Sequence, residues 1–384
     1  MNFLLVPDKF KGSLSAKKVI AAISNAISDI YPQAGIYSVA ASDGGDGFLD
    51  SVRSYMELET IKIDATDPLG RKISTEFLIN PETGEAYIEL ARASGLELLS
   101  DEERDPLLTS TMGTGIQIKE AILNGAKKIY IGLGGSATND AGLGIAAACG
   151  FSFLDEFGNS LEPTGKNLSK ISAIKPSDFL KEYKNLEIYA VNDVDNPLFG
   201  PTGAAYVYAA QKGANKQDIA FLDKGLKRLH TIVRGEMGKD CADIPGSGAA
   251  GGTAYGLKAF LNADYISGTD FIFKLARIDN LLESHSIDFI ITGEGKIDEQ
   301  TLRGKLIHGV CQLGKNYNIP VIVVCGVSEV NKKHLREMGN VEVIEIHEPS
   351  EPLSYSIENA SNLIELAIAN FLKNRIKEKN YDKS

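Results

Sequence analysis

Short β-rich runs alternate with helix-patterned stretches along nearly the whole chain, and this alternation restricts the fold more than any other feature. Phe3 to Val6, Ile36 to Ala40, Thr60 to Asp64, Ile129 to Gly132, Glu187 to Val191, Asp288 to Thr292, Val321 to Cys325 and Val341 to Ile346 read as strands. Strand followed by helix, repeatedly, specifies a largely parallel sheet with helices on its faces, so the expected class is α/β. Ser13 and Ser15 are cap candidates for the first helix, which carries Val19, Ile20, Ile23 and Ile27 at helical spacing and ends before Tyr31-Pro32.

A chain of 384 residues has room for two domains of ordinary size, and two domains imply a cleft. The texture changes near Asp67-Pro68-Leu69-Gly70. There Ile73 to Ile79 and Ala86 to Leu90 read as strands joined by the turn Asn80-Pro81-Glu82-Thr83-Gly84. From about Ile287 the rhythm of the opening returns. The expected organisation is a discontinuous first domain, residues 1–64 and 286–384, with a second α/β domain, residues 65–285, inserted into it. The Lys-rich, apolar-poor tail from Lys373 reads as a fraying helix end.

A content of 43% hydrophobic and 24% charged residues is that of an ordinary globular α/β chain. The balance of 40 basic against 51 acidic residues gives a net charge of −11, and no Lys/Arg run makes a nucleic-acid or anionic-membrane footprint. Anionic substrates would meet an opposing field, so their site must reverse it locally with Lys, Arg, backbone N–H groups or a divalent cation. Cys149, Cys241, Cys311 and Cys325 lie in or beside apolar segments, with no CxxC or close His spacing, as reduced core cysteines of a cytosolic protein do. The polar turn Pro7-Asp8-Lys9 cuts the first apolar run far short of the ~7–15 residues of a signal peptide, and no other run could span a bilayer. A cytoplasmic protein is expected, without membrane or nucleic-acid partners; homo-oligomerisation is left open.

Loops at the ends of the expected strands carry the residues with chemical potential. In Pro7-Asp8-Lys9-Phe10-Lys11-Gly12-Ser13, two lysines flank a glycine turn at a helix N-terminus, where N–H groups and the dipole favour phosphate. A plain strand–helix turn with solvated lysines reads equally well. No Gly-Lys pair is followed by Ser or Thr with a glycine five before, so this is not a Walker A chain. Ser42-Asp43-Gly44-Gly45-Asp46-Gly47 offers carboxylates for Mg²⁺ or, as readily, a helix cap. The small-residue loop Gly134 to Gly142 is the strongest local signal of an anion site, through Ser136, Thr138 and neighbouring N–H groups; tight helix–strand packing is the plainer alternative. Asp193 and Asp195 could accept a hydroxyl proton or simply form Asx turns. Gly246 to Gly251 is a literal GxGxxG, but no strand precedes it, which favours a helix-opening loop over a dinucleotide fingerprint. Glu294, Lys296 and Lys305 put acid and base together at another strand end. The histidines are scattered, and none is spaced for a metal site or a triad.

Taken together, the blocks Pro7 to Ala16, Asp43 to Gly47, Gly134 to Gly142, Gly246 to Gly252 and Thr292 to Thr301 resemble, in order and spacing, the bacterial type I glycerate kinase family. Asp193 to Leu198 and Gln211-Lys212-Gly213-Ala214 add two further blocks, so the resemblance covers nearly the whole chain. Departures from the family pattern are Lys9 for Ser, Asp46 for Glu, Asn192 for Cys and Ile307 for Pro. The resemblance implies a discontinuous flavodoxin-like (Rossmann-like) domain with a parallel sheet plus an inserted second α/β domain. It also implies Mg²⁺- and ATP-dependent phosphorylation of D-glycerate, with 2-phosphoglycerate rather than 3-phosphoglycerate as product. On these grounds Asp193 is expected to orient or deprotonate the glycerate hydroxyl, and Lys11 to counter its carboxylate or the transferred phosphoryl group. Asp43 and Glu294 are the expected Mg²⁺ partners. Lys9, Gly12, Ser13, Asp195 and Lys305 are expected at the substrate or phosphates, with Gly134, Gly135, Ser136, Thr138, Gly246 and Gly248 against ATP. Two rivals stand beside this reading: an NAD-dependent dehydrogenase of a small hydroxy acid, resting on Gly246 to Gly251, and a non-catalytic sugar-acid sensor.

Overall fold

The computed structural model describes residues 1–39, 47–183, 185–298, 306–331, 334 and 338–381. Its strands, in chain order, are β1 (Asn2–Leu5), β2 (Gly35–Ser38), β3 (Glu59–Thr66), β4 (Lys72–Asn80), β5 (Glu85–Glu89), β6 (Lys128–Gly132), β7 (Ser152–Leu154), β8 (Ala173–Lys175), β9 (Glu187–Val191), β10 (Asp264–Ile266), β11 (Phe289–Ile297), β12 (Val321–Ser328) and β13 (Val341–Glu345). Every strand expected from the sequence is present, including the hairpin of β4 and β5. The additional ones, β7, β8 and β10, have three residues each, too few to display a period.

The chain divides into residues 1–42 with 272–384 and residues 43–271. The first unit holds a sheet in the order β13-β12-β11-β1-β2, parallel throughout. Numbered within the unit, that is 2-1-3-4-5, the flavodoxin-like order. The helix Ala16–Ile30 follows β1. Ser15 caps it by accepting from the Lys18 N–H, and its buried face is Val19, Ala22, Ile23, Ala26 and Ile27. That face joins Ile364, Ile368 and Leu372 of the helix Ala360–Tyr381 and the sheet residues Phe3, Leu5, Ile291, Ile322 and Val324 in one core. Burying each of the larger of these side chains contributes roughly 1.5–3 kcal/mol.

The second unit is built on the sheet β10-β9-β6-β5-β4-β3. Strands β5, β6, β9 and β10 run parallel, whereas β4 is antiparallel to both β3 and β5. Strand β3 pairs with β4 from Glu59↔Ile79 to Thr66↔Lys72, so it belongs to this sheet although its sequence was grouped with the opening segment. The core gathers Ile88, Ile129, Ile131 and Ala190 of the sheet with Ile118, Leu226 and Leu257 of the helices Met112–Leu123, Lys216–Met237 and Ala249–Leu261. Register aligns Tyr87, Tyr130 and Tyr189, whose rings stack at 5.3 and 5.1 Å. All four cysteines are buried and free. Among the described residues, no helix is long and apolar enough to cross a membrane.

The GxGxxG run is not entered from a strand: β9 ends at Val191 and β10 starts at Asp264. It opens the helix Ala249–Leu261, with Ala250, Gly251 and Gly252 at φ of 53°, 68° and 83°. A Cβ on Gly251 would lie 2.0 Å from the Thr138 carbonyl oxygen, so glycine there lets two backbone segments touch. Gly251→Ala combines positive-φ strain with that overlap, a cost of about 2–4 kcal/mol. In a unit of this size thermal unfolding should shift down by roughly 5–15 °C; an unchanged midpoint would mean that the segments do not meet as described.

Candidate active site

Ligands of open parallel sheets collect at the carboxyl ends of the strands, where the strand order reverses. In the first unit that point lies between β1 and β11. The chain leaving β1 continues along β11 through Val6 N–H to Ile291 O (2.8 Å) and Asp8 N–H to Gly293 O (2.9 Å). Thr292 Oγ1 donates to Val6 O. Phe10 is buried and closes a tight turn, accepting from Ser13 N–H and exchanging bonds with Leu14, with Gly12 at φ +77°. The turn presents Lys9 and Lys11 to solvent. A Cβ on Gly295 would stand 3.4 Å from Lys11 N, so the lysine loop lies against the backbone that carries Glu294. The Ser13 hydroxyl is committed to Ile357 O at 2.5 Å, which leaves it a structural part in this turn. Asp43, Asp46 and Lys305 lie outside the described residues.

In the second unit the carboxyl edge of β5, β6 and β9 carries the other candidates. The loop after β6 is fastened by Leu96 N–H to Gly135 O (2.8 Å) and Ala137 N–H to Ser94 O (2.9 Å). Ser136 Oγ accepts from Thr138 N–H at 3.1 Å and shares a 3.0 Å bond with Thr138 Oγ1. Among the described residues, the N–H groups of Gly134, Gly135 and Ser136 donate to no backbone carbonyl. Gly135 is exposed and lines a cavity of about 660 Å³ together with Gly47, Lys62, Glu89, Arg92 and Glu97. The Glu89 carboxylate accepts from Gly47 and Leu49 N–H at 3.0 and 3.1 Å, fixing that wall.

Beneath this loop sits a buried carboxylate. Asp140 accepts from Thr111 N–H and Oγ1 (2.8 Å each), Gly142 N–H (3.0 Å) and Gly144 N–H (3.2 Å). Thr111 and Gly142 precede the helices Met112–Leu123 and Leu143–Ala148, so the charge lies at two helix N-termini, which favour an anion. Burial nevertheless pushes its carboxyl pKa up against those bonds. Lys212, 2% exposed, donates from Nζ to Thr138 O at 2.6 Å. Burial pushes this ammonium down to about 7, the Asp140 charge opposing.

Asp193 follows β9 and accepts from Ser267 Oγ (2.7 Å), Gly268 N–H (2.8 Å), Thr269 N–H (3.2 Å) and Thr269 Oγ1 (3.1 Å), at the start of the helix Gly268–Leu275. Asp195 is exposed. Gly248 donates to Asn196 O, and a Cβ on it would be 2.4 Å from Pro197 O. A Cβ on Gly246 would be 3.1 Å from Asn192 Oδ1, so both glycines serve the close seating of the 192–197 loop. The buried pair Asp140 and Lys212 stood inside motifs quoted from the sequence without being singled out. A lysine among the small residues Ala209-Ala210-Gln211-Lys212-Gly213-Ala214 was the available signal.

A family model described as the glycerate kinase family matches residues 3–375. The chain belongs to the glycerate kinase family. This family member is 39% identical over 327 residues to a protein named glycerate kinase from Halalkalibacterium halodurans, covering 85% of this chain and 86% of that one. It is 38% identical over 326 residues to glycerate 2-kinase of Escherichia coli K12, covering 85% of each. A crystal structure of a proposed glycerate kinase 2 from Salmonella typhimurium LT2 superposes with a TM-score of 0.79 at 33% identity, over 99% of both chains. The protein is therefore a kinase of two α/β units, with ATP as the phosphoryl donor its family implies.

The Lys212 burial makes stability depend on pH. The unfolded chain keeps the lysine proton up to about 10.5 and the folded chain releases it at about 7. Between those values the unfolded state binds more protons, so stability rises with pH. Lys212→Met should remove that rise, on the order of a few kcal/mol, when urea unfolding is compared at pH 7 and 9.5. An identical slope in the variant would mean the lysine is not buried as a shifted ammonium.

Proposed function

We propose that this glycerate kinase family member transfers the γ-phosphoryl group of ATP to the 2-hydroxyl of D-glycerate. The observation that carries the reading is the row of amides at Gly134, Gly135 and Ser136, which donate to no backbone carbonyl among the described residues, at the carboxyl edge of the parallel strands β5, β6 and β9. The chain that carries it matches proteins named glycerate kinase and glycerate 2-kinase over 85% of its length. Phosphoryl transfer asks a protein mainly to align the attacking hydroxyl and to neutralise developing charge. Amides and lysines can do this inside a chain of net charge −11.

In this reading Gly134, Gly135 and Ser136 receive phosphoryl oxygens of ATP, while Thr138 braces the loop through Ser136. Lys11, exposed at the strand-order reversal, counters the glycerate carboxylate or the moving phosphoryl group. Lys9 and Lys305 add positive charge, and Gly12 with Ser13 shapes the turn. Asp193 orients the hydroxyl, with Asp195 nearby in the chain. Both Asp193 oxygens already accept bonds, and a carboxylate has about four lone-pair sites in all; taking up a proton would displace a donor, which favours orientation over abstraction. Gly246 and Gly248 act through the loop they support. Mg²⁺ takes one or two protein carboxylates and completes its shell with water and phosphate oxygens; Glu294, inside β11 but three residues beyond Ile291, which pairs with the last residue of β1, suits such a place, with Asp43 as a second candidate. When bound, the ion supplies charge neutralisation at the transferring phosphoryl group. Against a dehydrogenase, the GxGxxG run follows no strand and its glycines are consumed by packing.

The purified protein, given ATP, Mg²⁺ and D-glycerate, should form ADP and 2-phosphoglycerate, read by a coupled assay and by NMR of the product. Formation of 3-phosphoglycerate would overturn the regiochemistry, and no glycerate-dependent ADP would overturn the reading itself. Lys11→Ala should lower kcat/KM by about 10²–10³-fold, with unfolding unchanged because the side chain is exposed. Turnover within a few-fold of the parent would remove Lys11 from the reaction.

A further inference from the structure

Lys212 is a costly residue for this interior. Its side chain is almost wholly buried, and a buried ammonium loses its hydration for little net gain; apolar replacements of buried ions are often neutral or stabilising. The residue ends the turn Ala210–Lys212, held by Gly213, where φ is +98° and a Cβ would meet Arg104 O at 2.0 Å. From that fixed point Nζ donates to the Thr138 carbonyl oxygen at 2.6 Å. The same oxygen lies where a Cβ on Gly251 would be, so it is wedged between the lysine and a glycine. Thr138 in turn gives its N–H to Ser136 Oγ and shares its hydroxyl with the same oxygen, and Ser136 bears one of the amides that donate to no backbone carbonyl among the described residues.

We infer that Lys212 is a positioning residue for nucleotide binding: by holding the Thr138 carbonyl inward it sets, through Thr138 and Ser136, the outward orientation of the Gly134, Gly135 and Ser136 amides. This rests on the reading that those amides take phosphoryl oxygens of ATP. Asp140 anchors the same loop from within, through donors at Thr111, Gly142 and Gly144, so the loop is clamped on both sides of Asn139. A lysine that merely filled space would influence stability and leave substrate affinities in their original ratio. A lysine that sets amide direction changes the affinity for ATP selectively.

The test is steady-state kinetics of Lys212→Met, with backbone amide spectra of parent and variant during titration with ADP. The expected result is a KM for ATP raised several-fold, up to about tenfold, the effect of losing one donor bond, with the KM for D-glycerate within about twofold of the parent. The Gly134, Gly135 and Ser136 amides should shift with ADP in the parent and shift less in the variant. If those amides move in the parent and move equally in the variant, with an unchanged KM for ATP, the inference is overturned. If they do not move in the parent, the phosphate-loop reading fails first. Should the variant not fold, the lysine Nζ spectrum of the parent decides: the Lys212 resonance moves on ADP saturation if the inference holds, and stays put while the loop amides move if it does not.

Discussion

A carboxylate buried at the start of two helices is the constraint on which the second unit's site depends. Asp140 ties Thr111, at the head of the helix Met112–Leu123, to Gly142 and Gly144, at the head of Leu143–Ala148. Without it four donors would face each other in an apolar interior, and each unsatisfied one would cost about 1–3 kcal/mol. With it the chain can turn sharply from β6 into a helix while its outermost amides donate to no backbone carbonyl among the described residues. Lys212 and Gly251 then confine the carbonyl at Thr138. The anion-binding character proposed for the loop is thus prepared from behind, by buried groups.

Much of the architecture could be read in the sequence because it is periodic. Strands such as β11 and β12 are rich in β-branched residues, β1 is a short apolar run, and Val19, Ile23 and Ile27 mark one helical face. The discontinuity of the first unit follows from a rhythm that stops and resumes, and its flavodoxin-like order from the family resemblance. Two loops of the candidate site, Pro7 to Ser13 and Gly134 to Gly142, were also legible, because they announce themselves by composition. What could not be read is what depends on three-dimensional neighbours. Nothing near Asp193 in sequence shows that its donors come from Ser267, Gly268 and Thr269, and nothing near Ser13 shows that its hydroxyl is taken by Ile357. Strand β3 fits either unit by pattern; only its pairing with β4 decides.

The GxGxxG run shows why a motif needs its context. Glycines that in one fold bring a backbone to a pyrophosphate here bring one backbone to another, at Thr138, Val194 and Pro197. The chemistry is the same, removal of a Cβ to permit close approach, and the beneficiary differs.

Amide hydrogen exchange of Asp140→Asn tests this account most directly. The substitution keeps the size of the side chain and turns an N–H₂ group toward donors. The account predicts that the amides of Thr111, Gly142 and Gly144 lose protection together, while those of β12 in the other unit keep theirs. Parent-like protection at those three amides would contradict it, because the loop would then be held by something other than the buried carboxylate.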